Sequence, residues 1–311
     1  MNTNLIPKKV KLVEVGPRDG LQNEKDFVAN DIKIELINRL TQAGLPNIEA
    51  AAFVSPKWVP QMAGSDAVMA GIARRPGTLY SVLVPNMQGY EKALLAGADE
   101  VVIFSSASEA FAQKNINCSI DESIARFEPV ARAAKRDGIR LRGSIPCSLG
   151  CPYQGEVTPS QVLYVARKMV DLGCDEIDIA DTIGVGTAGR VKTVFATLQA
   201  ALPNVQFSGH FHDTYGQALA NIYAALEMGI SIFHSSIAGL GGCPYAKGAT
   251  GNVATEDVVY LLTGLGIETG VKFEEVARVG AFITQAINRP NHSKAGRAFL
   301  ANQPSLINTV I

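Results

Sequence analysis

The 311-residue chain predicts a (β/α)8 barrel followed by a C-terminal helical extension. Three observations carry this reading. Eight short β-branched runs are spread along the chain, and an amphipathic helix-like stretch follows nearly every one. Glycine closes many of those stretches, as in QAG, LAGA, DLG and EMG, where a left-handed helix end is wanted before the next strand. No G-x-G-x-x-G opens a helix after the first strand, which weakens a dinucleotide-binding open sheet. Strict strand–helix alternation repeated eight times therefore favours the closed parallel barrel.

The expected strands, in order, are residues 11–19 (KLVEVGPRD), 47–53 (NIEAAAF), 78–84 (TLYSVLV), 100–108 (EVVIFSSAS), 139–145 (IRLRGSI), 176–182 (EIDIADT), 205–214 (VQFSGHFHDT) and 230–239 (ISIFHSSIAG). Between the first two lies NDIKIELINRLTQAG, whose Ile32, Ile34, Leu36, Ile37 and Leu40 favour a helix with one buried face. After the eighth strand come a glycine-rich loop, a helix from about residue 252, and further helical pattern ending in a frayed tail. The expected organisation is one catalytic domain over 1–311, with the barrel at about 9–264 and the extension at about 265–311. No low-complexity linker divides it.

Composition narrows the class. With 28 Lys+Arg against 29 Asp+Glu the formal net charge is −1, which argues against nucleic acid or an anionic membrane as partner. No apolar run reaches the roughly 18 to 20 residues that span a bilayer. The N-terminal MNTNLIPKKVKL lacks the apolar stretch of a signal peptide. Five cysteines without C-x-x-C spacing read as free thiols, so a cytoplasmic protein is expected. A homo-oligomer, dimer or larger, is the expected assembly.

In such a barrel the chemistry lies where strands end and βα loops begin. Polar residues fall there repeatedly: Arg18 and Asp19, Glu49, Asp181 and Thr182, then His210, His212 and Asp213, with Cys243 and Asn252 in the last loop. His210 and His212 stand two apart on one strand, so both imidazoles point the same way and can grip one ion. An Asp and an Asn from other strand ends complete a mixed nitrogen and oxygen set, suited to Mg²⁺ or Mn²⁺ more than to thiolate zinc. Arg18 offers a planar fork matched to a carboxylate or oxyanion. Glu49, alone in an apolar strand, must be paired or hydrogen-bonded, and Arg18 is a candidate partner. Cys243 sits among five glycines, Gly239, Gly241, Gly242, Gly248 and Gly251, in a loop able to close over a site. Cys147 and Cys151, after the fifth strand, could also face the site, and no nucleophile–base pair follows from spacing. Lys25 and Lys57 suit phosphate, or an ordinary solvated surface.

Taken together, VEVGPRDGLQNEK (13–25), FVSPKWVPQM (53–62), KNINCS (114–119), GCPYQG (150–155), DTIGVGT (181–187), HFHDTYGQALAN (210–221) and AGLGGCPYAKGATGNVATEDVVYLL (238–262) resemble the 3-hydroxy-3-methylglutaryl-CoA lyase family from about Lys9 to Asn288. The cysteine loop is that family's specific signature; the Arg-Asp pair is shared with a wider superfamily of metal-dependent lyase and synthase barrels. The resemblance implies cleavage of an acyl-CoA substrate to acetyl-CoA and acetoacetate with Mg²⁺ or Mn²⁺, in leucine catabolism and ketone body formation. It implies metal ligands at Asp19, His210, His212 and Asn252, substrate binding and catalysis by Arg18, and catalytic parts for Glu49, His210 and Cys243. Two departures stand out: Ala50, Ala51 and Ala52 where hydroxyl-bearing residues are common, and His234 where an Asp is common. Both bear on the acyl group accepted.

A retro-Claisen cleavage needs the 3-hydroxyl deprotonated, the departing enolate stabilised and then protonated. Arg18 is placed for the enolate oxygen, and His210 and Cys243 for proton transfer. Asp19, Cys243 and a metal-bound water stand as alternatives for removing the hydroxyl proton. A Claisen-condensing synthase would show a glutamate-arginine pair where this chain has Gly242, Cys243 and Pro244. A scaffold protein on the same frame would have no use for these groups together.

Overall fold

A computed structural model describes residues 6–242 and 251–303. Its strands are β1 (Lys11–Glu14), β2 (Asn47–Ala52), β3 (Leu79–Leu83), β4 (Glu100–Phe104), β5 (Arg140–Ile145), β6 (Glu176–Asp181), β7 (Phe207–Phe211) and β8 (Ile232–Ser235). They pair in parallel, in chain order, and β8 closes on β1. The protein is a (β/α)8 barrel.

Each strand is shorter than its β-branched run, and β1 shows why. The run to Asp19 is cut at Glu14, because Pro17 has no N–H to give a ladder. Gly16–Gly20 instead coils into one wide helical turn, Gly20 N–H donating to Val15 O at 3.1 Å, which carries Arg18 and Asp19 to the barrel mouth. At the other end, the expected helix start near 252 is also displaced. Asn252 forms a bridge with His212, and the helix begins at Thr255.

The helices α1 (Asn30–Gln42), α2 (Ser65–Gly71), α3 (Met87–Leu95), α4 (Glu109–Ile116), α5 (Ile120–Asp137), α6 (Pro159–Asp171), α7 (Ala188–Ala201), α8 (Ala218–Glu227) and α9 (Thr255–Gly264) surround the sheet. Local chemistry sets their ends. Ser119 and Glu122 form a capping box at the start of α5, and Gly138 ends it in the left-handed conformation. Thr158 and Gln161 do the same for α6, with Pro159 at the first turn where no N–H is needed. Such a cap stabilises a helix by about 1 kcal/mol. Beyond the barrel, α10 (Phe273–Ala286) packs on α1, with the Arg39 guanidinium 4.0 Å over the Phe282 ring, and α11 (Lys294–Ala301) packs on α10. The expected tail from 304 onward lies outside the described residues, as does Cys243.

Two interiors result from the strand period. Leu12, Ile48, Tyr80, Val82, Val101, Ile103, Leu141, Ile177, Ile179, Phe211 and Phe233 belong to the main apolar core that the helices cover. Residues of opposite parity point into the barrel lumen. There the apolar filling is a small cluster of Val13, Val15 and Ile232. Much of the rest of the described lumen is polar, with Ala52, Leu83 and Val102 among its apolar members. Arg142 lies in register with Glu176, Ser144 with Asp178, and Glu100 with Arg140, so opposite charges meet across neighbouring strands.

Candidate metal centre and active site

Three segments converge at the C-terminal mouth of the barrel: the turn after β1, the end of β7, and the returning stretch around Asn252. The last is held by backbone bonds on both sides. Val253 N–H donates to Phe211 O at 3.2 Å, Asp213 N–H to Gly251 O at 2.9 Å, and Ser236 N–H to Val253 O at 3.0 Å. Two glycines permit this close approach. Gly241 (φ 130°) and Gly251 (φ 95°) press together so tightly that a Cβ on Gly251 would lie 2.6 Å from the Gly241 carbonyl carbon. Asn252 is thereby delivered into the mouth from the edge of the barrel.

Its amide links the other groups. Asn252 Nδ2 donates to Asp19 Oδ2 at 2.8 Å and to Leu240 O at 3.3 Å, while its Oδ1 lies 2.7 Å from His210 Nε2. His210 and His212 do share a direction, with ring centroids 5.4 Å apart. Their Nε2 atoms stand 3.9 and 4.0 Å from Asp19 Oδ2, too far for hydrogen bonds. His212 Nδ1 is buried and has no partner. Two imidazole nitrogens, a carboxylate and an amide oxygen facing one gap form a donor set that suits a hard or borderline divalent cation. All four expected ligands are brought together.

Electrostatics suit that use at Asp19 and His212. Burial alone would raise Asp19, but the Arg18 charge, and then the two imidazoles, hold its carboxyl far below the usual range. Burial, and next the neighbouring His210, lower His212 to about 4, so at neutral pH its ring is uncharged and able to bind a cation. For His210 burial acts downward, and the Asp178 carboxylate more than reverses it.

Arg18 is buried at the rim, its Nε donating to Glu49 Oε1 and its Nη1 to Asp19 Oδ1 at 2.8 Å. The expected Arg18–Glu49 pair is present. Glu49 has a second partner that sequence reasoning missed: Arg142, from β5, donates to its other oxygen. Burial would push Glu49 up, and the two guanidiniums bring it below its ordinary value. Below lie further groups that were missed. Arg142 Nη1 is 3.1 Å from His234 Nε2, Glu176 Oε1 is 3.3 Å from the same nitrogen, and Lys11 Nζ donates to Glu176 Oε2 at 3.0 Å. The available signal was alternation of charge within β5 and β6, Arg140-Leu141-Arg142 and Glu176-Ile177-Asp178.

Other polar strand ends serve the frame. Asp181 accepts from Val185 N–H at 3.1 Å and Gly186 N–H at 2.8 Å, and burial lifts it to about 6. Thr182 Oγ accepts from Cys147 N–H at 2.8 Å, and Asp213 accepts from Ala218 N–H at 3.0 Å. Cys147 and Cys151 are buried, Cys151 Sγ accepting from Ser108 Oγ–H at 3.0 Å, and burial pushes the Cys147 thiol up. The departures sort differently as well. A bulge after Glu49 sets Ala51 against Val82, on the helix-facing side, and Ala52 against Leu83, on the lumen side. His234 is in the lumen beneath His210. Lys57 is exposed, and Lys25 borders a cleft of about 620 Å³ beside Gly241, Gly242 and Arg289.

A closed parallel barrel with candidate cation ligands and a fixed arginine at its C-terminal mouth has the layout of a barrel enzyme. The family model described as HMGL-like matches residues 9–283, and the chain belongs to that family. A "3-hydroxy-3-isohexenylglutaryl-CoA/hydroxy-methylglutaryl-CoA lyase" from Pseudomonas aeruginosa is 57% identical over 296 residues, covering 95% of this chain and 99% of the relative. The mitochondrial hydroxymethylglutaryl-CoA lyase of Rattus norvegicus is 57% identical over 293 residues, 94% of this chain and 90% of its own. A crystal structure of hydroxymethylglutaryl-CoA lyase from Pseudomonas aeruginosa superposes with a TM-score of 0.94 at 56% identity, over 96% of this chain and 99% of that one. Among the described residues no helix is long and apolar enough to cross a membrane.

Proposed function

We propose that the chain is a lyase that cleaves 3-hydroxy-3-methylglutaryl-CoA to acetyl-CoA and acetoacetate. The observation that carries this reading is the meeting of Arg18, Asp19, Glu49, His210, His212 and Asn252 at one barrel mouth. In the reaction the 3-hydroxyl gives up its proton, the bond between C2 and C3 breaks, and its electrons leave as the enolate of acetyl-CoA. The hydroxyl carbon becomes the ketone of acetoacetate, and the enolate carbon takes a proton. Asp19, His210, His212 and Asn252 would hold a divalent cation, Mg²⁺ or Mn²⁺, whose Lewis acidity supports loss of the hydroxyl proton.

The remaining steps fall to side chains. Arg18 is clamped between Glu49 and Asp19, so its free N–H groups are pre-aimed when negative charge grows on the enolate oxygen. Glu49 keeps the fork from turning, and Arg142 keeps Glu49 in place. Cys243, outside the described residues, is assigned the proton transfer. The cleft beside Gly241 and Gly242, with Lys25 and Arg289 on its border, is assigned to the CoA arm. A homo-oligomer in the cytoplasm is the setting this reading expects, as part of leucine catabolism and ketone body formation.

One observation favours a second reading, in which a bulkier 3-substituent is accepted as well. The Pseudomonas relative is named for an isohexenyl ester alongside the methyl one. In this chain the small Ala52 lies on the lumen side next to Glu49. The test is acetyl-CoA release from the 3-methyl ester and from 3-alkyl homologues up to isohexenyl, with Mg²⁺ or Mn²⁺ added. Turnover of the methyl ester is expected, and longer esters should differ by about 1 to 3 kcal/mol per methylene at most. No acetyl-CoA from any ester would overturn the lyase reading. Turnover confined to the methyl ester would overturn the second.

A further inference from the structure

His210 has two ring nitrogens, and a cation can use only one of them. Without a cation Nε2 lies 2.7 Å from Asn252 Oδ1, an acceptor, and so holds the ring proton; once Nε2 ligates, that proton must sit on Nδ1 and needs an acceptor deep in the lumen. The groups found there are Asp178 and His234. Asp178 Oδ2 is 3.7 Å from His210 Nδ1, and His234 Nδ1 is 3.3 Å from it. Asp178 is also 3.5 Å from His234 Nδ1 and accepts from Ser144 Oγ–H at 2.8 Å. Its second oxygen, Oδ1, is buried with no partner. Oδ2, the oxygen toward the histidines, accepts one hydrogen bond, from Ser144, and Oδ1 none, so this buried carboxylate is short of donors.

We infer that Asp178 and His234 together form the support that fixes the ring of His210 for cation binding, an inference that rests on the metal reading above. At 3.7 Å Asp178 Oδ2 lies just outside hydrogen-bond range, and a small turn of the ring on ligation brings Nδ1–H to it and leaves Nε2 to the cation. His234 limits the tilt of that ring edge-on, its centroid 5.4 Å away and the planes 63° apart. His234 is itself held from behind by Arg142 and Glu176, and Glu176 by Lys11. The chain of contacts therefore runs from the cation ligand to the closed end of the barrel. Neither residue touches substrate in this arrangement; both are positioning residues.

The test is Mn²⁺ binding by equilibrium dialysis to the full chain and to Asp178→Ala, Asp178→Asn, His234→Gln and Ser144→Ala, with thermal unfolding of each metal-free protein as a folding check. The parent should bind one equivalent. Asp178→Ala and His234→Gln should weaken Kd by about 10- to 100-fold, the usual effect of losing a group that orients a ligand. Asp178→Asn, which keeps an acceptor oxygen, should recover part of that loss. Ser144→Ala is the mild variant should the others fail to fold, and should shift Kd in the same direction. With diamagnetic Mg²⁺ added, the ring ¹⁵N shifts of His210 should report the Nδ1–H tautomer in the parent and its loss in Asp178→Ala. Folded variants that bind Mn²⁺ within about twofold of the parent would overturn the support role while leaving the metal reading intact. A parent that binds no Mn²⁺ would overturn both. Two equivalents bound would also overturn it, since Asp178 and His234 would then be holding a cation themselves.

Discussion

Replacing Arg18 by Lys tests the chemistry most directly, because it keeps the charge and removes the fork. In the structure Nε serves Glu49 and Nη1 serves Asp19, from opposite parts of one rigid plane. A lysine ammonium is a single point and cannot stand at both carboxylates while also reaching a substrate oxygen. Each charge-assisted bond lost is worth about 1.5 to 3 kcal/mol. A misplaced oxyanion donor costs about 2.7 to 4 kcal/mol of transition-state stabilisation, or about 10²- to 10³-fold in kcat. Folding stability should fall by about one such bond and no more, since Lys keeps the charge, Glu49 keeps its bond to Arg142 and Asp19 its bond from Asn252, so no buried charge is stranded. The assay is kcat for acetyl-CoA release at saturating Mn²⁺, beside thermal unfolding of the same protein. Saturating metal separates loss of the donor from any loosening of Asp19. A kcat within about twofold of the parent would refute the role of Arg18.

Further outcomes follow from the same geometry. Chelation should abolish turnover, and His212→Ala should weaken Mn²⁺ affinity at least about 10²-fold with little change in fold, because His212 Nδ1 has no hydrogen bond to lose; full turnover in chelator-treated protein would sink the metal reading. Glu14→Gln addresses pH. Glu14 is buried, joins the turns after β1 and β8 through the N–H groups of Gly16 and Ile237 at 2.8 Å each, and is raised by burial from 4.5 to about 7. The folded protein thus holds a proton that the unfolded chain has released, so this group's contribution is complete below about pH 4.5 and fades as pH rises through 7. Gln keeps the acceptor and cannot ionise, so the variant should gain on the parent by up to roughly 3 kcal/mol between pH 4.5 and pH 8. Urea unfolding at both pH values checks this; an unchanged difference would reject it.

The barrel was legible because its signals are local: a strand run, a helix face and a closing glycine repeat eight times, and each can be read without its neighbours. The strand-end chemistry was legible for the related reason that a barrel collects its strand ends at one mouth. What escaped depends on facing and register, which are tertiary. Asp19 and Asp181 are both acids at strand ends, yet one looks into the mouth and the other ties down the backbone of Val185 and Gly186. Arg142, Glu176 and Asp178 sit inside strands, and their value comes from standing opposite one another across β5 and β6, a pairing that no single strand announces. That hidden set bears on function. Around the lumen and its mouth, Asp19, Glu49, Glu100, Glu176 and Asp178 face Arg18, Arg142, Lys11 and Arg140, five carboxylates against four fixed cations. Glu49 and Glu100 are tied to arginines, and Glu176 to Lys11. Asp178 has no lysine or arginine ion pair and faces the two lumen histidines, while Asp19 shares its arginine with Glu49. The uncompensated negative charge therefore lies at the upper end of the ladder, on either side of His210, which is where a divalent cation would be bound most strongly.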